Sequence, residues 1–531
     1  MKKKILTAMI LIWAVFVLAV GMNAATFTFE VGGFTFEANE TYRTLTLVRY
    51  SGAGEVVTVP KTVQYKGKTY TVNAIGYEAF YQRTMLREIN FPDSVTSIGK
   101  RSFYLCTRLT KFNFPEGLTS IGDYAFGGCW SLKKISLPEG LDSIGEGVFY
   151  DCTSLTEINF PDDLTSTGIC MFKGCTSLTK ISFPEGLISV GNSSFVGCTS
   201  LTEVNLPDSL LSIEGTAFCN CTSLTEINLP EGLTSIGNSV FSGCTSLTEI
   251  NLPEGLTSIG NSAFSGCTSL TEINLPEGLT SIGNSAFSKC TSLTDINLPE
   301  GLTSIGNGAF QSCTSLTEID LPEGLTAIGA WTFAYCARLT SITLPDGVTS
   351  IGYAAFANCT SLTKIGFPEG LISIGGSSFS GCTNLTEINL PEGLTSVGEK
   401  SFNNCTSLKA VYFYGDVPIN WGTDVFLECG YDLTLYYLAG KIGWTSPTWE
   451  APDGTIYNTA IFNTVELGDV NCDGFINLDD VIVLLRHISK AYEITNPDAL
   501  VVSEVTGDGV INLDDVIKLL RYISKAISSL N

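Results

Sequence analysis

Near the C-terminal end of the sequence, oxygen-bearing side chains alternate in a pattern that suits calcium. In the stretch DVNCDGFINLDD they occupy positions 1, 3, 5, 9 and 12 of a loop, in the order Asp469, Asn471, Asp473, Asn477 and Asp480. Calcium takes six to eight oxygen ligands, which alternate residues of a tight loop supply. The backbone carbonyl of Phe475 is expected to fill position 7. The sequence therefore predicts a calcium site, with Asp at position 12 where such loops usually carry Glu.

A second loop of this kind begins 35 residues further on, in the stretch EVTGDGVINLDD. Its ligand positions are held by Glu504, Thr506, Asp508, Val510 (through its carbonyl), Asn512 and Asp515. Glu and Thr at positions 1 and 3 depart from the usual pattern of such loops. The sequence thus predicts two calcium ions as cofactors, the second bound more weakly.

Each loop leads into an apolar stretch with helical spacing. After the first loop, Val481, Leu484, Leu485 and Ile488 form one stripe. A duplicated loop and helix with Asp at position 12 and no helix entering the loop resembles a type I dockerin, here over residues 466–527. The resemblance implies a cohesin domain of a scaffoldin as partner, and a place in a cellulosome-like extracellular complex.

The dockerin resemblance also implies which residues contact the partner, because loop positions 10 and 11 and later helix residues do so in that family. The matching residues are Leu478, Asp479, Arg486 and Lys490 in the first half and Leu513, Asp514, Arg521 and Lys525 in the second. The alternative is that the leucines pack internally and the charges are solvated. The candidates are identical in both halves, which implies docking in either of two orientations.

The middle of the chain repeats every 23 residues. The period is marked by fourteen evenly spaced cysteines: Cys106, Cys129, Cys152, Cys175, Cys198, Cys221, Cys244, Cys267, Cys290, Cys313, Cys336, Cys359, Cys382 and Cys405. In the unit LTEINLPEGLTSIGNSAFSGCTS, the spacing of Leu247, Ile250 and Leu252 is that of a leucine-rich-repeat strand. Alternation directs Ile250 and Leu252 inward and exposes Glu249 and Asn251. One such unit cannot bury its own apolar face, so the units are expected to stack as a solenoid.

The repeated pattern L-x-x-I-x-L-P-x-x-L-x-x-I-G-x-x-A-F-x-x-C resembles the BspA-like bacterial surface family of leucine-rich repeats. The fold class expected is a β-rich solenoid of about fifteen coils, counting one coil with Arg83 in the cysteine slot, together with a small all-α calcium-binding domain. The predicted boundaries are a signal peptide at 1–25, an N-terminal β cap at 26–71, the solenoid at 72–408, a C-terminal cap at 409–450, a linker at 451–467 and the dockerin at 468–531. The resemblance implies a surface-binding or adhesive role.

The cysteines allow two interpretations. A secreted chain rich in cysteine often carries disulfides, but all fourteen here occupy the same slot of the coil. We favour reduced thiols packed along a buried seam, because free cysteine is among the most buried residue types. Disulfides between neighbouring coils remain the alternative. Cys170, Cys219, Cys429 and Cys472 lie outside the 23-residue series.

Carboxylates form two further series, which we call the turn ladder and the strand-face ladder. The turn ladder follows the proline of each coil: Asp93, Glu116, Glu139, Asp162, Glu185, Asp208, Glu231, Glu254, Glu277, Glu300, Glu323, Asp346, Glu369 and Glu392. The strand-face ladder mixes signs at first and then becomes acidic: Glu88, Lys111, Lys134, Glu157, Lys180, Glu203, Glu226, Glu249, Glu272, Asp295 and Glu318. Either the ladders are solvated edges, or divalent cations or a basic partner occupy them.

The net charge and the N-terminal residues indicate which partners and which cellular location to expect. The formal net charge of −24 argues against nucleic acid and against an anionic membrane as partner. Lys2, Lys3 and Lys4 precede an apolar run and small residues, which predicts a cleaved signal peptide and a secreted or cell-surface protein without a membrane segment after cleavage.

The function expected from these patterns is non-catalytic binding or adhesion. The sequence contains one histidine, His487, in a predicted dockerin helix, so no His-based triad or catalytic zinc site is expected. One alternative is a component of polysaccharide degradation with cryptic glycoside hydrolase activity. Another is a host-cell adhesin or inhibitor. A polysaccharide or a surface protein remains open as the ligand of the solenoid.

Overall fold

The structure is a computed structural model that describes residues 26–462, 481–482, 484–485, 511 and 516–520. It divides into two compact units, with the boundary between Leu362 and Thr363.

The first unit begins with an antiparallel cap. Its strands are β1 (Thr26–Val31), β2 (Phe34–Asn39), β3 (Thr44–Tyr50), β4 (Val56–Thr58), β5 (Thr62–Tyr65) and β6 (Lys68–Ile75). Strands β1, β2 and β3 pair antiparallel in sequence, and β5 pairs antiparallel with β6. Strand β3 pairs in parallel with β6, and β6 pairs in parallel with the strand Ser97–Ile98 of the next coil. The later strand pairings between coils of this unit are also parallel. The cap therefore gives the first coil a partner for its open edge.

Each coil then contributes up to two short strands. Those on the strand face, which carries the strand-face ladder, are β7 (Glu88–Asn90), β9 (Lys111–Phe112), β11 (Lys134–Ser136), β13 (Glu157–Asn159), β14 (Lys180–Ser182), β16 (Glu203–Asn205) and β23 (Ser341–Thr343). Those on the second edge are β8 (Ser97–Ile98), β10 (Ser120–Ile121), β12 (Ser143–Ile144), β15 (Ser189–Val190), β17 (Ser212–Ile213), β18 (Ser235–Ile236), β19 (Ser258–Ile259), β20 (Ser281–Ile282), β21 (Ser304–Ile305), β22 (Ala327–Ile328) and β24 (Ser350–Ile351). Neighbours pair in parallel with the 23-residue register, as Ser258 does with Ser281.

The core of the first unit is a column of identical layers. In the reference coil, Leu247, Ala263, Phe264 and Cys267 are fully buried. The phenylalanine rings at the Phe264 position stack from coil to coil between Phe80 and Phe356, with centroids 4.9–5.9 Å apart. Aromatic pairs in offset contact add to the stabilisation from burial alone. The prediction of a leucine-rich-repeat solenoid is confirmed.

The middle coils differ from the expected strand pattern. The strand expected around Ile250 is reduced to isolated bridges at Asn251, which joins Asn228 on one side and Asn274 on the other. Leu252 is only partly buried, while Ile250 is 4% exposed. In these coils the regular ladder lies on the second edge, where β18 to β21 form one sheet.

The second unit contains β25 (Lys364–Gly366), β26 (Ser373–Ile374), β27 (Glu387–Leu390), β28 (Ser396–Val397), β29 (Ala410–Phe413), β30 (Asn420–Trp421), β31 (Thr434–Leu438), β32 (Thr448–Glu450) and β33 (Ile456–Phe462). Strands β27, β29, β31 and β33 pair in parallel, and β32 closes the edge antiparallel to β33. The parallel coils thus continue beyond residue 408. Together the two units contain about 18 turns, more than the fifteen expected, because the flanking segments also coil.

Strand β33 lies in the segment that the sequence assigned to a linker. Its residues alternate, with Tyr457 and Thr459 buried. This alternation was hidden by the polar residues around it. Tyr457 also packs with Trp449 and Phe426, at centroid distances of 6.2 and 5.7 Å.

In the C-terminal segment, the described residues at 481–482, 484–485 and 516–520 are helical. Val481 and Leu484 of the predicted stripe are buried, whereas Leu485 is 41% exposed. Val516 and Leu519, 35 residues further along, are buried in the same way. Within the described part of the chain, no helix has the length and apolar character needed to cross a membrane.

Candidate functional site

The cysteine seam lies inside the solenoid, and its thiols act as hydrogen-bond donors. From Cys106 to Cys359, each Sγ donates to the backbone carbonyl of the stacked phenylalanine in the preceding coil, at 3.1–3.4 Å. The carbonyl of Phe241, for example, accepts from Cys267 Sγ at 3.2 Å and from the N–H of Cys244 at 3.1 Å. The thiol therefore supplies a second donor to a buried carbonyl that has two lone pairs.

The described cysteines are in the reduced state, which agrees with the reduced interpretation. Burial raises the pKa of Cys106, Cys152 and Cys198 to about 12. A thiol held in the protonated form is a poor nucleophile and a poor metal ligand. The fully buried thiols of the seam are accordingly structural features of the core and not reactive groups.

Cys429 belongs to this seam, although the sequence placed it outside the series. Its Sγ donates to the carbonyl of Phe402 at 3.1 Å, as Cys405 donates to Phe379 at 3.2 Å. One additional residue lengthens this coil to 24 residues, which conceals the match in a search for a constant period.

The turn ladder is exposed along its whole length, from Asp93 to Glu392. Lys441 Nζ contacts Glu392 at 2.6 Å in the second unit. Among the residues that the structure describes, no group of three or more Asp, Glu, Cys or His side chains could hold a metal ion. The turn ladder is thus an open row of carboxylates, without an enclosed cation site in the described range.

The strand-face ladder, in contrast, is organised by charge into pairs of coils. Three lysines contact a glutamate of an adjacent coil: Lys111 with Glu88 at 3.5 Å, Lys134 with Glu157 at 2.6 Å and Lys180 with Glu203 at 2.6 Å. The same three pairs of coils are joined by parallel strands, β7 with β9, β11 with β13 and β14 with β16. Opposite charges directly across a strand pair stabilise it.

Like charges coincide with interruptions of the strand-face sheet. The sheets that the structure describes on this face do not join β9 to β11, where Lys111 and Lys134 are neighbours. Through Glu226, Glu249 and Glu272, only the isolated bridges remain. Like charges across a strand pair are destabilising, which agrees with both interruptions. Strands β13 and β14 are also not paired with each other, although Glu157 and Lys180 carry opposite charges. Each of these two residues contacts its ion-pair partner on the other side.

A cleft of about 390 Å³ extends over β7, β9 and β11 and includes the interruption between β9 and β11, and we call it the lysine cleft. Lys111 and Lys134 line it, with 76% and 72% of their side chains exposed, and so does Glu88, the ion-pair partner of Lys111. Phe112 and Phe114 line it and are only partly buried. Their rings lie 4.5 Å apart, edge to face.

A related cleft of about 400 Å³ lies between β13 and β14, two coils further on, and we call it the mixed cleft. It is lined by Phe160 and Phe183, whose rings are stacked at 5.4 Å, and its sides carry Glu157 and Lys180. The two clefts share an aromatic lining and differ in charge. Sequence reasoning missed both. The available signal was phenylalanine in slots that hold isoleucine or leucine in other coils.

The calcium and cohesin residues predicted from sequence lie outside the described residues. This holds for the calcium positions Asp469, Asn471, Asp473, Phe475, Asn477, Asp480, Glu504, Thr506, Asp508, Val510, Asn512 and Asp515, and for the contact positions Leu478, Asp479, Arg486, Lys490, Leu513, Asp514, Arg521 and Lys525. Both sets remain predictions.

The parallel coils, the stacked aromatic core and the 23-residue period define a leucine-rich-repeat solenoid. A family described as "BspA type Leucine rich repeat region" matches residues 73–201, 168–279, 234–359 and 326–436. The chain therefore belongs to the BspA-type leucine-rich-repeat family.

Among solved structures, the chain is similar to a leucine-rich repeat protein from Bacteroides ovatus, at 31% identity and a TM-score of 0.62. That match covers 77% of this chain and 99% of the other. A leucine rich cell surface protein from Faecalibacterium prausnitzii is 29% identical, with a TM-score of 0.45, over 74% of this chain and 96% of the other. No curated protein gave a significant match.

Proposed function

We propose that the protein is a non-catalytic binding or adhesion protein of the bacterial cell surface, attached to a cohesin-bearing extracellular complex through a calcium-dependent dockerin. The observation that carries the attachment is the pair of twelve-residue loops, which place oxygen ligands at the same positions 35 residues apart. Two such loops at this spacing are a far more specific pattern than one.

The helical residues support this proposal. Helical backbone is described at 481–482 and at 516–520, and these residues follow directly in the sequence on position 12 of each loop, Asp480 and Asp515. The buried residues of the two segments, Val481 and Leu484 in one and Val516 and Leu519 in the other, occupy equivalent positions. This is the arrangement expected of a duplicated loop and helix.

The solenoid supports binding without catalysis. Its charged side chains repeat along open faces of the solenoid. Catalytic carboxylates usually lie in enclosed environments that shift their pKa, and the open ladders do not provide such an environment. Its buried thiols are held protonated. Stacked repeats with an extended surface are used in other proteins for recognition.

The attachment is tested by capture of the full mature chain on immobilised cohesin domains, with calcium and with excess chelator. We expect retention with calcium and loss with chelator, because the ligand loops fold around the ion. Leu478→Asp alone and Leu513→Asp alone should each leave capture intact, since either half can dock. The double substitution should abolish it.

The helical circular dichroism of the double variant in calcium serves as the folding control. Equal capture with and without calcium would refute the calcium-dependent dockerin. Loss of capture in one single variant and not in the other would refute the two-orientation arrangement.

A further inference from the structure

A junction near the middle of the first unit lacks strand pairing on both of its edges. Counting each coil from its residue in the strand-face ladder, this junction lies between coils 203–225 and 226–248, and we call it the joint. In the sheets that the structure describes, β16 is not paired with the following coil on the strand face, and β17 is not paired with β18 on the second edge. The coils from β18 to β21, in contrast, form one continuous sheet on the second edge.

The N–H groups that connect the second edge at a regular junction lack those partners at the joint. At the next junction along the chain these bonds are Thr257 N to Thr234 O at 2.9 Å, Gly260 N to Ile236 O at 2.8 Å and Asn261 N to Asn238 Oδ1 at 2.8 Å. Among the described hydrogen bonds, the equivalent groups of Thr234, Gly237 and Asn238 donate to no acceptor of the preceding coil. Residues 231–239 and 254–262 are identical in sequence. The difference therefore originates in the coil before the joint.

The coil before the joint departs from the repeat at the two residues that follow its second-edge strand. The next four coils carry Gly-Asn in these slots, whereas this coil carries Glu214-Gly215. The asparagine amide accepts from the N–H of the following coil, as Asn261 Oδ1 does from Asn284 N at 2.7 Å. Gly215 has no side chain to do so, and the carboxylate of Glu214 accepts from Asn192 N in the preceding coil, at 3.2 Å. The sequence thus removes one acceptor from the joint.

The two coils are also packed less closely at the joint. A side-chain carbon placed on Gly237 would lie 3.0 Å from the nearest atom of the preceding coil, compared with 2.7 Å at Gly260 and 2.6 Å at Gly283. The ring centroids of Phe218 and Phe241 are 5.9 Å apart, whereas the pairs before and after them in the column are 5.4 and 5.6 Å apart. Both distances agree with the loss of hydrogen bonds.

The third side of the coil stays connected across the joint. This side, which we call the back edge, comprises the residues between the second edge and the seam cysteine, such as 214–220. Its bonds across the joint are Thr216 N to Asn238 O at 2.8 Å, Phe218 N to Val240 O at 3.0 Å and Asn220 N to Ser242 O at 2.7 Å. The thiol of Cys244 also donates to the carbonyl of Phe218, at 3.2 Å. The joint is therefore bonded along one side and released on the other two.

One other junction of the first unit, the one before β22, also lacks strand pairing on both edges of the described sheets. It keeps two contacts that the joint has lost. Asn307 Oδ1 accepts from Ala330 N at 2.8 Å, and Thr317 N donates to Thr294 O at 3.4 Å. The joint is thus the more weakly connected of the two junctions.

We propose that the joint is a flexible point at which the solenoid bends, with the continuous back edge as the axis. The strand face, the second edge and the turn between them open and close together, because no described strand pairing connects them across the joint. Segments with few protected backbone hydrogen bonds open at lower cost than the rest of a protein, and a hinge concentrates the motion in a few residues. Bending changes the angle between the strand faces on either side of the joint. This inference concerns the solenoid alone and does not depend on the dockerin.

Amide hydrogen exchange of the full mature chain compares the joint with regular junctions of the same sequence. Segment 232–241 differs from 255–264 only by Val240 in place of Ala263, so mass spectrometry distinguishes the two peptides. Segment 278–287 is identical to 255–264 and also reports a regular junction. The intrinsic exchange rates of the shared residues are equal, so the comparison measures protection alone. We expect exchange at least about tenfold faster in 232–241.

Gly215→Asn supplies the missing amide acceptor. A side-chain carbon at Gly215 would lie 3.3 Å from Asn192 Nδ2 and from Asn238 O, so asparagine fits after a small shift of its neighbours. This variant should slow exchange in 232–241 several-fold and leave 255–264 unchanged. Gly215→Ala adds a side-chain carbon without an acceptor and should exchange as the unaltered chain does. Equal slowing by both variants would overturn the role assigned to the amide.

The bending itself is measured by distances between spin labels on the turn ladder, which lies opposite the back edge. Labelled non-natural side chains replace Glu185 and Glu254 to span the joint, and they replace Glu231 and Glu300 to span regular junctions as the control. Both pairs are three coils apart. We expect a broader distance distribution for the pair that spans the joint, and Gly215→Asn should narrow it. Equal widths for the two pairs, or equal exchange of the matched segments, would overturn the inference.

Discussion

Lys134 Nζ lies 2.6 Å from a carboxylate oxygen of Glu157, one coil further along, and the strands that carry these residues pair in parallel. On the other side of Lys134 the neighbour is Lys111, and strand pairing is absent there among the described residues. The packing also differs, because Phe112 and Phe114 lie at the interrupted junction. Like charge therefore accompanies the loss of strand pairing at this junction, whereas the opposite charges of Glu157 and Lys180 are not sufficient to pair β13 with β14.

This relationship predicts that a charge reversal will extend the sheet. Glu249 has Glu226 and Glu272 as its neighbours on the strand face, and only single bridges join these coils. Glu249→Lys replaces two repulsive contacts with two attractive ones. We expect the free energy of unfolding to rise by about 0.5–1 kcal/mol in low salt, and the gain to shrink at 1 M salt.

Denaturant unfolding in low and high salt measures this effect, and Glu249→Gln is the control that removes repulsion without adding attraction. The glutamine variant should show a smaller gain. A lysine variant that is less stable than the glutamine variant in low salt would contradict the charge explanation.

The thiol seam predicts a specific cost for losing the donor. Cys267→Ala removes the S–H that donates to the carbonyl of Phe241 and leaves a small cavity. The expected loss is about 1–2 kcal/mol of the free energy of unfolding. Cys267→Ser keeps a donor in the same place and should cost less than alanine.

Comparison of the two variants by denaturant unfolding separates the hydrogen bond from packing. If Cys267→Ser lowers the free energy of unfolding as much as Cys267→Ala or more, the hydrogen bond to the Phe241 carbonyl does not contribute to stability. The volume of the cysteine side chain would then account for its effect.

The sequence was sufficient to predict the stacked core. The constant spacing of Phe264, Cys267 and their counterparts requires identical layers, and each of these residues is buried. The exposure of Glu249 and Asn251 also followed from simple alternation. These features are the same in every coil, so the repeating pattern of residue types is enough to predict them.

The remaining features depend on differences between neighbouring coils, which a period does not express. The pairing of Lys134 with Glu157 and not with Lys111 requires comparing each junction separately. The lysine cleft results from Phe112 and Phe114 combined with an interrupted sheet. Cys429 was missed because one inserted residue shifts the count while the backbone geometry absorbs it.

Alkaline pH is predicted to destabilise the solenoid through its thiols. Burial raises the pKa of Cys290 and Cys336 from 9.0 to about 12. Between these values the unfolded chain releases thiol protons that the folded chain retains, so stability falls as pH rises. Each such thiol contributes up to about 1.4 kcal/mol per pH unit.

Unfolding midpoints measured from pH 7 to 11 should therefore decline steeply above about pH 9. The double variant Cys290→Ala/Cys336→Ala starts from a lower stability at pH 7 but should lose less of it per pH unit. Parallel pH profiles of the variant and the unaltered chain would show that tyrosine and lysine titration causes the decline instead.

Cys429 is predicted to react with an alkylating reagent before Cys219 does. Hydrogen bonding with the thiol of Cys405 lowers the pKa of Cys429, and Cys429 is only partly buried. Burial instead raises the pKa of Cys219, which is also partly buried. Because the thiolate is the reacting species, brief treatment of the native chain with iodoacetamide at pH 8 should modify Cys429 before Cys219. Peptide mass spectrometry identifies the site.

Cys405→Ala removes the hydrogen bond while leaving Cys429 in place, and should slow its alkylation. Faster alkylation in that variant would show that access to Cys429, and not its pKa, controls the reaction.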